Sequence, residues 1–171
     1  MALEPLRGRV AYIFADDDFD VDQIVGVDHC AEQDMQVLLD VSMQSFDPQF
    51  ARLARPGDII VGGQNFGYGH PHYPAMQYMR HLGIRGVIAE SFAPGFWQNE
   101  INMGFIPITC PGIVANVNRW DEIEMDWTGK LLNRTTGCTL QCEVLSERHR
   151  SIIEAGGFIA HLRSKHRSVA A

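Results

Sequence analysis

Apolar positions in the first two thirds of the chain come in short runs bounded by turn signals. Arg9-Val-Ala-Tyr-Ile-Phe14 alternates weakly and is rich in strand formers, which predicts a strand. Asp47-Pro48 opens a short helix through Leu53, because Asp caps and Pro suits a first turn. Pro56-Gly57 ends it and leads into an unbroken apolar strand at Asp58–Val61. Ala75, Met76, Met79 and Leu82 then fall at helical spacing, and Gly83 suits the helix C-terminus. Gly86-Val-Ile-Ala89 predicts a second buried strand. A second helix follows Ser91, with Phe92, Phe96 and Ile101 on one side, and ends near Gly104. Phe105-Ile-Pro-Ile108 is a third short strand, with Pro107 marking an edge or an end. Two successive strand-loop-helix units favour parallel neighbouring strands.

From Glu122 the texture changes. Glu122–Trp127 alternates with period two, Thr128-Gly129 turns, and Lys130-Leu-Leu132 returns. Thr139–Val144 alternates again, so this half predicts an antiparallel flank with one solvated face. Ser146–Ala155 is a capped helix broken at Gly156-Gly157, Phe158–Leu162 is a last helical turn or two, and the basic tail Arg163–Arg167 is expected to fray. The pattern implies an α/β fold with a parallel core and an antiparallel flank, in one domain over residues 1–171.

Composition narrows the functional classes. Hydrophobic residues make up 46% of the chain, enough for an ordinary core. The formal net charge of -7 argues against nucleic acid, whose recognition needs a basic footprint. No apolar window is long enough for a membrane span. The first residues lack a long apolar stretch, so export is not expected. Cys30, Cys110, Cys138 and Cys142 are scattered, which suits reduced thiols in a cytoplasmic protein.

The chemistry concentrates in Asp58–Tyr73. A strand, a glycine-rich loop (Gly62, Gly63, Gly67, Gly69) and a helix start gather backbone N–H groups that suit a small anion. His70 and His72 sit where the helix opens; they are either functional or two surface histidines on a decayed loop. As a pair they can also bind zinc or iron, although no third ligand is evident, and no metal site is assigned. Asp16–Asp22 packs five carboxylates into seven residues. Asp20 and Asp22 suit a folded turn better than direct catalysis, since Asp side chains bond nearby N–H groups. Asp28, His29 and Cys30 either line a pocket or form a plain loop.

These landmarks, in this order from about Gly8 to Leu162, resemble the small subunit of 3-isopropylmalate dehydratase, the swivelling domain of the aconitase superfamily. Asp18-Phe-Asp-Val-Asp-Gln-Ile-Val25 is similar to the family's Asp-Asn-Ile-Asp-Thr-Asp-Gln-Ile-Ile. Asp47-Pro-Gln-Phe50, Arg55-Pro-Gly-Asp-Ile-Ile-Val61, Asn65-Phe-Gly-Tyr-Gly69, Ser91-Phe-Ala93, Asn99-Glu-Ile-Asn-Met-Gly104, Thr136-Gly137 and Glu154-Ala-Gly-Gly157 also match. The resemblance implies a β/β/α swivelling domain that closes over a separate large subunit carrying a [4Fe–4S] cluster, with no cofactor on this chain. It implies removal of water from a small 2-hydroxy acid, with a serine of the glycine loop as base and an arginine two residues later holding a carboxylate. Asn65, Gly67, Gly69, Asp28 and His29 are then expected around the substrate, with Asp20 and Asp22 as loop structure.

The chain departs from the family where that chemistry sits. The family's Ser-Ser-Arg-Glu is here His70-Pro-His-Tyr73, which puts His70 at the base and His72 at the clamp. Lys-Ser-Phe-Ala-Arg becomes Glu90-Ser-Phe-Ala-Pro94, and the specificity loop reads Gly26-Val-Asp-His-Cys30. Arginine offers a permanent bidentate charge, whereas histidine is mostly neutral at pH 7. Losing these cations predicts a substrate less anionic than isopropylmalate, unless another subunit provides the charge. His70, with an unperturbed pKa of about 6.5, suits proton transfer at neutral pH. The alternative is a non-catalytic binding or regulatory module that kept the fold.

Overall fold

Nine residues of extended chain, Leu6–Phe14, form strand β1, and its two halves pair with different neighbours. Val10–Phe14 runs parallel to β2 (Ile59–Gly62), while Leu6–Arg9 runs antiparallel to β5 (Glu122–Met125). β3 (Gly86–Ala89) and β4 (Ile106–Thr109) continue the parallel side, and β6 (Lys130–Asn133) and β7 (Thr139–Gln141) continue the antiparallel side. The computed structural model, which describes residues 4–70 and 72–169, thus contains a seven-stranded sheet in the order β4-β3-β2-β1-β5-β6-β7. The parallel core and antiparallel flank are as the patterning predicts, and Pro107 lies on the edge strand β4.

All four residues of β2 and of β3 are buried, as unbroken apolar runs require. Alternation divides them between two cores. Ile60 and Val87 join Phe14, Phe19, Phe66, Met76 and Met79 on one face. Ile59, Val61 and Ile88 join Ile108, Ile123, Leu131 and Ile152 on the other. The helices are α1 (Met35–Val41), α2 (Phe50–Leu53), α3 (Tyr73–His81), α4 (Pro94–Asn102), α5 (Ile113–Asn116), α6 (Glu147–Glu154) and α7 (Phe158–Val169). Among the described residues, no helix is long and apolar enough to cross a membrane.

Two part-buried ion pairs tie these layers together. The Arg9 guanidinium donates to both carboxylate oxygens of Asp58, from Nε at 3.1 Å and Nη2 at 2.7 Å, and joins β1 to the start of β2. The Arg55 backbone N–H donates to Asp58 Oδ2 at 2.9 Å, so this carboxylate also fixes the turn before β2. Arg80 of α3 donates to Glu100 of α4 at 2.7 Å; burial pushes the Glu100 carboxyl up, and Arg80 works against that rise.

The structure corrects the sequence reading at four places. Arg163–Arg167 lies within α7 rather than fraying, because the helix begun at Phe158 runs on to Val169. The last strand is shorter than 139–144, since the Cys142 N–H donates to the Gly129 carbonyl outside the ladder. Two helices carry no strong sequence signal. In α1 only Leu38 is fully buried, and α5 has four residues.

Close backbone approach sets the glycine requirement after β2. A Cβ on Gly63 would stand 2.7 Å from the carbonyl oxygens of both Ala15 and Asp16. Gly95, in the first turn of α4, has open space around that position. Gly63→Ala is therefore expected to cost ~1–3 kcal/mol by overpacking against backbone. Gly95→Ala should be neutral or stabilising by up to about 1 kcal/mol. Denaturant unfolding of both variants checks the contrast; equal midpoints would contradict it.

Candidate functional site

The loops leaving β1, β2 and β3 meet at the carboxyl ends of the parallel strands, where open α/β sheets place their ligands. The β1 loop is bonded to the glycine loop along its length. Gly63 N–H donates to the Phe14 carbonyl at 2.9 Å, Asp18 N–H to the Gln64 carbonyl at 2.9 Å, and Gly67 N–H to the Phe19 carbonyl at 2.9 Å. Asp17 accepts from the Gln64 N–H at 2.9 Å, and Asp18 accepts from the Asn65 side-chain amide at 2.7 Å. The acidic run is thus a folded clamp rather than a merely solvated loop.

The β3 loop grips the other side. Ser91 Oγ accepts from the Asn65 N–H at 2.8 Å, and Phe66 and Phe92 form an isolated parallel bridge. Phe66 also stacks on Phe19, with ring centroids 5.6 Å apart. Gly67 has φ +82°, and any Cβ there would strike the Phe96 ring. The Asn-Phe-Gly and Ser-Phe-Ala motifs are two halves of one mechanical joint.

An open cleft of about 500 Å³ lies on this joint, lined by Gly67, Gly69, His70, His72, Tyr73, Ala93, Gly95, Phe96 and Asn99. No lysine or arginine is among these residues. His70 is exposed, and His72 is the N-cap of α3. The Asp22 carboxylate, mostly buried, accepts from the His72 backbone N–H at 2.9 Å and faces its Nδ1 at 2.7 Å. An ionised carboxylate can only accept, so Nδ1 carries the proton, and a neutral His72 keeps its lone pair on Nε2. Asp20 N-caps the short 3₁₀ turn Val21–Ile24 by accepting from the Asp22 N–H at 2.9 Å, which fixes the clamp.

Cys30 lies beside this pair. One ligand atom from each of Asp22, Cys30 and His72 can be chosen so that all three are within 4.8 Å of one another. Burial pushes the Cys30 thiol up, and the carboxylates of Asp22, Asp20 and Asp28 push it further.

Of the residues read from the sequence, Gly67, Gly69, His70 and His72 share the cleft. Asn65 lies in the joint with its amide on Asp18, and Asp28 and His29 lie on the 3₁₀ turn Val27–His29, outside the cleft lining. Glu90 does not line the cleft either; its carboxylate accepts from the Gly112 and Val114 N–H groups at 2.5 and 2.9 Å. Sequence reasoning missed the Asp22–His72 contact, because fifty positions separate the two residues. Tyr73, Phe96 and Asn99 were also missed as lining, because a helical face reads as core or surface without the fold.

The fold and the joint define a swivelling domain of the aconitase type, and comparison with known proteins narrows this further. The Aconitase C-terminal domain family matches residues 31–112. The chain is 40% identical to the isopropylmalate/citramalate isomerase small subunit of Methanocaldococcus jannaschii, over 94% of this chain and 95% of that protein. It is 35% identical to the 3-isopropylmalate dehydratase small subunit of Pyrobaculum calidifontis, over 94% and 98%. A crystal structure of 3-isopropylmalate dehydratase from Methanocaldococcus jannaschii superposes with a TM-score of 0.84 at 30% identity, over 98% of each chain. The chain belongs to the 3-isopropylmalate dehydratase small-subunit family. The relatives support the reading as a hydro-lyase small subunit over the binding-module alternative.

Replacing Asp22 by Asn tests the clamp. The amide can still accept from the backbone N–H, but its NH₂ would donate to Nδ1 and move the ring proton to Nε2. Ring ¹⁵N shifts of His72 should report that tautomer change, and an unchanged spectrum would mean that the contact does not set the tautomer.

Proposed function

We propose that this chain closes over a large subunit carrying a [4Fe–4S] cluster, and with it dehydrates or isomerises a 2-hydroxy acid less anionic than isopropylmalate. The observation that carries the reading is the cleft itself: two histidines at a helix start, and no arginine or lysine in the lining. When bound, such a cluster supplies Lewis acidity toward the leaving hydroxyl. This chain's own cysteines do not suit one, since Cys110 and Cys142 are buried in the core on one sheet face, while Cys30 is part-buried in the loop after β1. The large subunit is the partner in a cytoplasmic heteromer.

In this reading His70 is the base beside the substrate carboxylate. It is exposed in the isolated chain and loses water only on closure, which strengthens its electrostatic contacts. His72 orients the substrate. With Nδ1 committed to Asp22, a neutral ring presents Nε2 as an acceptor, which suits a hydroxyl rather than a second carboxylate. A lost arginine removes charged hydrogen bonds worth roughly 1.5–3 kcal/mol each, so a dicarboxylate loses more than a monocarboxylate. Gly67 packs against Phe96 and Gly69 against Asp20, which keeps the loop backbone close to the cleft wall.

Steady-state kinetics of the reconstituted two-subunit complex, run across a panel of 2-hydroxy acids, tests this. Monocarboxylates should exceed isopropylmalate in kcat/KM. His70→Ala should lower kcat about 100- to 10,000-fold, the usual weight of a general base, with assembly intact. His72→Ala should mainly raise KM. Wild-type turnover in both variants would defeat the assignment, and a preference for isopropylmalate would defeat the substrate class alone.

A further inference from the structure

We infer that Asp22, Cys30 and His72 form a binding site for a divalent transition-metal ion, with zinc the best match to the donor set. The three residues come from separate turns: the 3₁₀ turn at Val21–Ile24, the end of the turn at Val27–His29, and the N-cap of α3. One ligand atom from each can be chosen so that all lie within 4.8 Å of one another. Carboxylate oxygen, thiolate sulfur and imidazole nitrogen are all zinc ligands, at about 2.0–2.3 Å, and three protein ligands with one open position is the arrangement of reactive zinc sites.

Three observations point to this group rather than to a chance cluster. First, the three residues are far apart in sequence, and the fold brings their ligand atoms to one point in space. Second, Asp22 is already held in place: Oδ1 accepts from the His72 N–H, and Asp20 fixes the Asp22 backbone. Metal sites need such a supporting shell around their ligands. Third, Asp20 and Asp28 add negative charge around Cys30. The arginines that form ion pairs in this fold do so elsewhere: Arg7 and Arg134 with Glu124, Arg9 with Asp58, Arg80 with Glu100, and Arg119 with Asp47. Local negative charge of this kind concentrates cations.

The ion takes the place of the proton now between Asp22 Oδ2 and His72 Nδ1. That pair, 2.7 Å apart, opens by about half an ångström to fit bond lengths of about 2 Å. The imidazole proton moves to Nε2, so that in the metal-bound form this nitrogen donates where in the metal-free chain it accepts, and the Cys30 thiol releases its proton to solvent. One carboxylate and one thiolate balance the double charge of the ion, so the site is formally neutral. It does not recreate the arginine. Its open position suits a hydroxyl, a carbonyl or a single carboxylate oxygen. This last point rests on the proposed substrate class, whereas metal binding itself does not.

Titration of the purified chain with Zn²⁺ by calorimetry under reducing, metal-free conditions tests binding without any turnover assay. Co²⁺ serves as the spectroscopic probe. One equivalent should bind, and the Co²⁺ form should show a thiolate charge-transfer band. Cys30→Ser should abolish that band and weaken binding by at least about 10- to 100-fold, and His72→Ala should weaken binding by a similar factor. Cys138→Ser should change neither. Circular dichroism of each variant shows that the fold is retained, and the band in the unmutated chain decides the matter if a variant unfolds. Absence of stoichiometric binding, or binding with the band intact in Cys30→Ser, would overturn the site. Either result leaves the hydro-lyase reading standing.

Discussion

Everything at the functional end of this molecule depends on two loops running closer together than side chains allow. Gly63 passes 2.7 Å, by its missing Cβ, from two carbonyl oxygens of the β1 loop. That approach lets Phe14, Phe19 and Gln64 exchange backbone hydrogen bonds across the gap. The hydrogen bonds in turn stack Phe66 on Phe19 and seat Gly67 over Phe96. A larger residue at Gly63 would push the loops apart and carry Asp22 away from His72. The positional demand of the site is thus met by backbone and aromatic packing, which are stiff, rather than by the polar side chains of the cleft.

The electrostatics of the cleft follow from the same geometry. The helix start is an N-cap histidine held by a carboxylate, and the cleft lining has no arginine or lysine. The acidic loop stays close because Asp17 and Asp18 spend their carboxylates on the glycine loop. The positive end of the helix dipole still favours an anion. The proposed preference for a single carboxylate rests on that balance.

Much of the fold was legible in the sequence because burial on both faces leaves unbroken apolar runs. Ile59–Val61 and Gly86–Ala89 could hardly be anything but inner strands of a parallel sheet, and Glu122–Trp127 could hardly be buried twice. The site was legible only in part. Gly67, Gly69, His70 and His72 stand together in one segment and could be read together. Asp22 could not be paired with His72 from the sequence, since the contact depends on how β1 and β2 pair. Cys30 was visible as an odd residue in a loop, but its neighbours were not. Glu90 was read as a charge at the site, yet it caps α5, since a carboxylate near free helix N–H groups is drawn to them. α1 escaped notice because it buries only Leu38 fully and so leaves a weak periodic signal.

The division between scaffold and chemistry explains how the loop can change its reactive residues without losing the fold. The bonds that hold the joint are made by Phe14, Asp17, Asp18, Phe19, Gly63, Gln64, Asn65, Phe66, Gly67 and Ser91. His70 takes no part in them. His72 contributes one backbone N–H, which any residue other than proline can supply, and one exposed ring. Exchanging a serine for His70 or an arginine for His72 therefore leaves the burial of Gly67 and the stacking of Phe66 untouched. An exchange at His70 should cost little stability, since exposed polar substitutions usually move stability by less than about 0.5 kcal/mol. The helix start can thus change its exposed residues while the joint beneath it stays fixed.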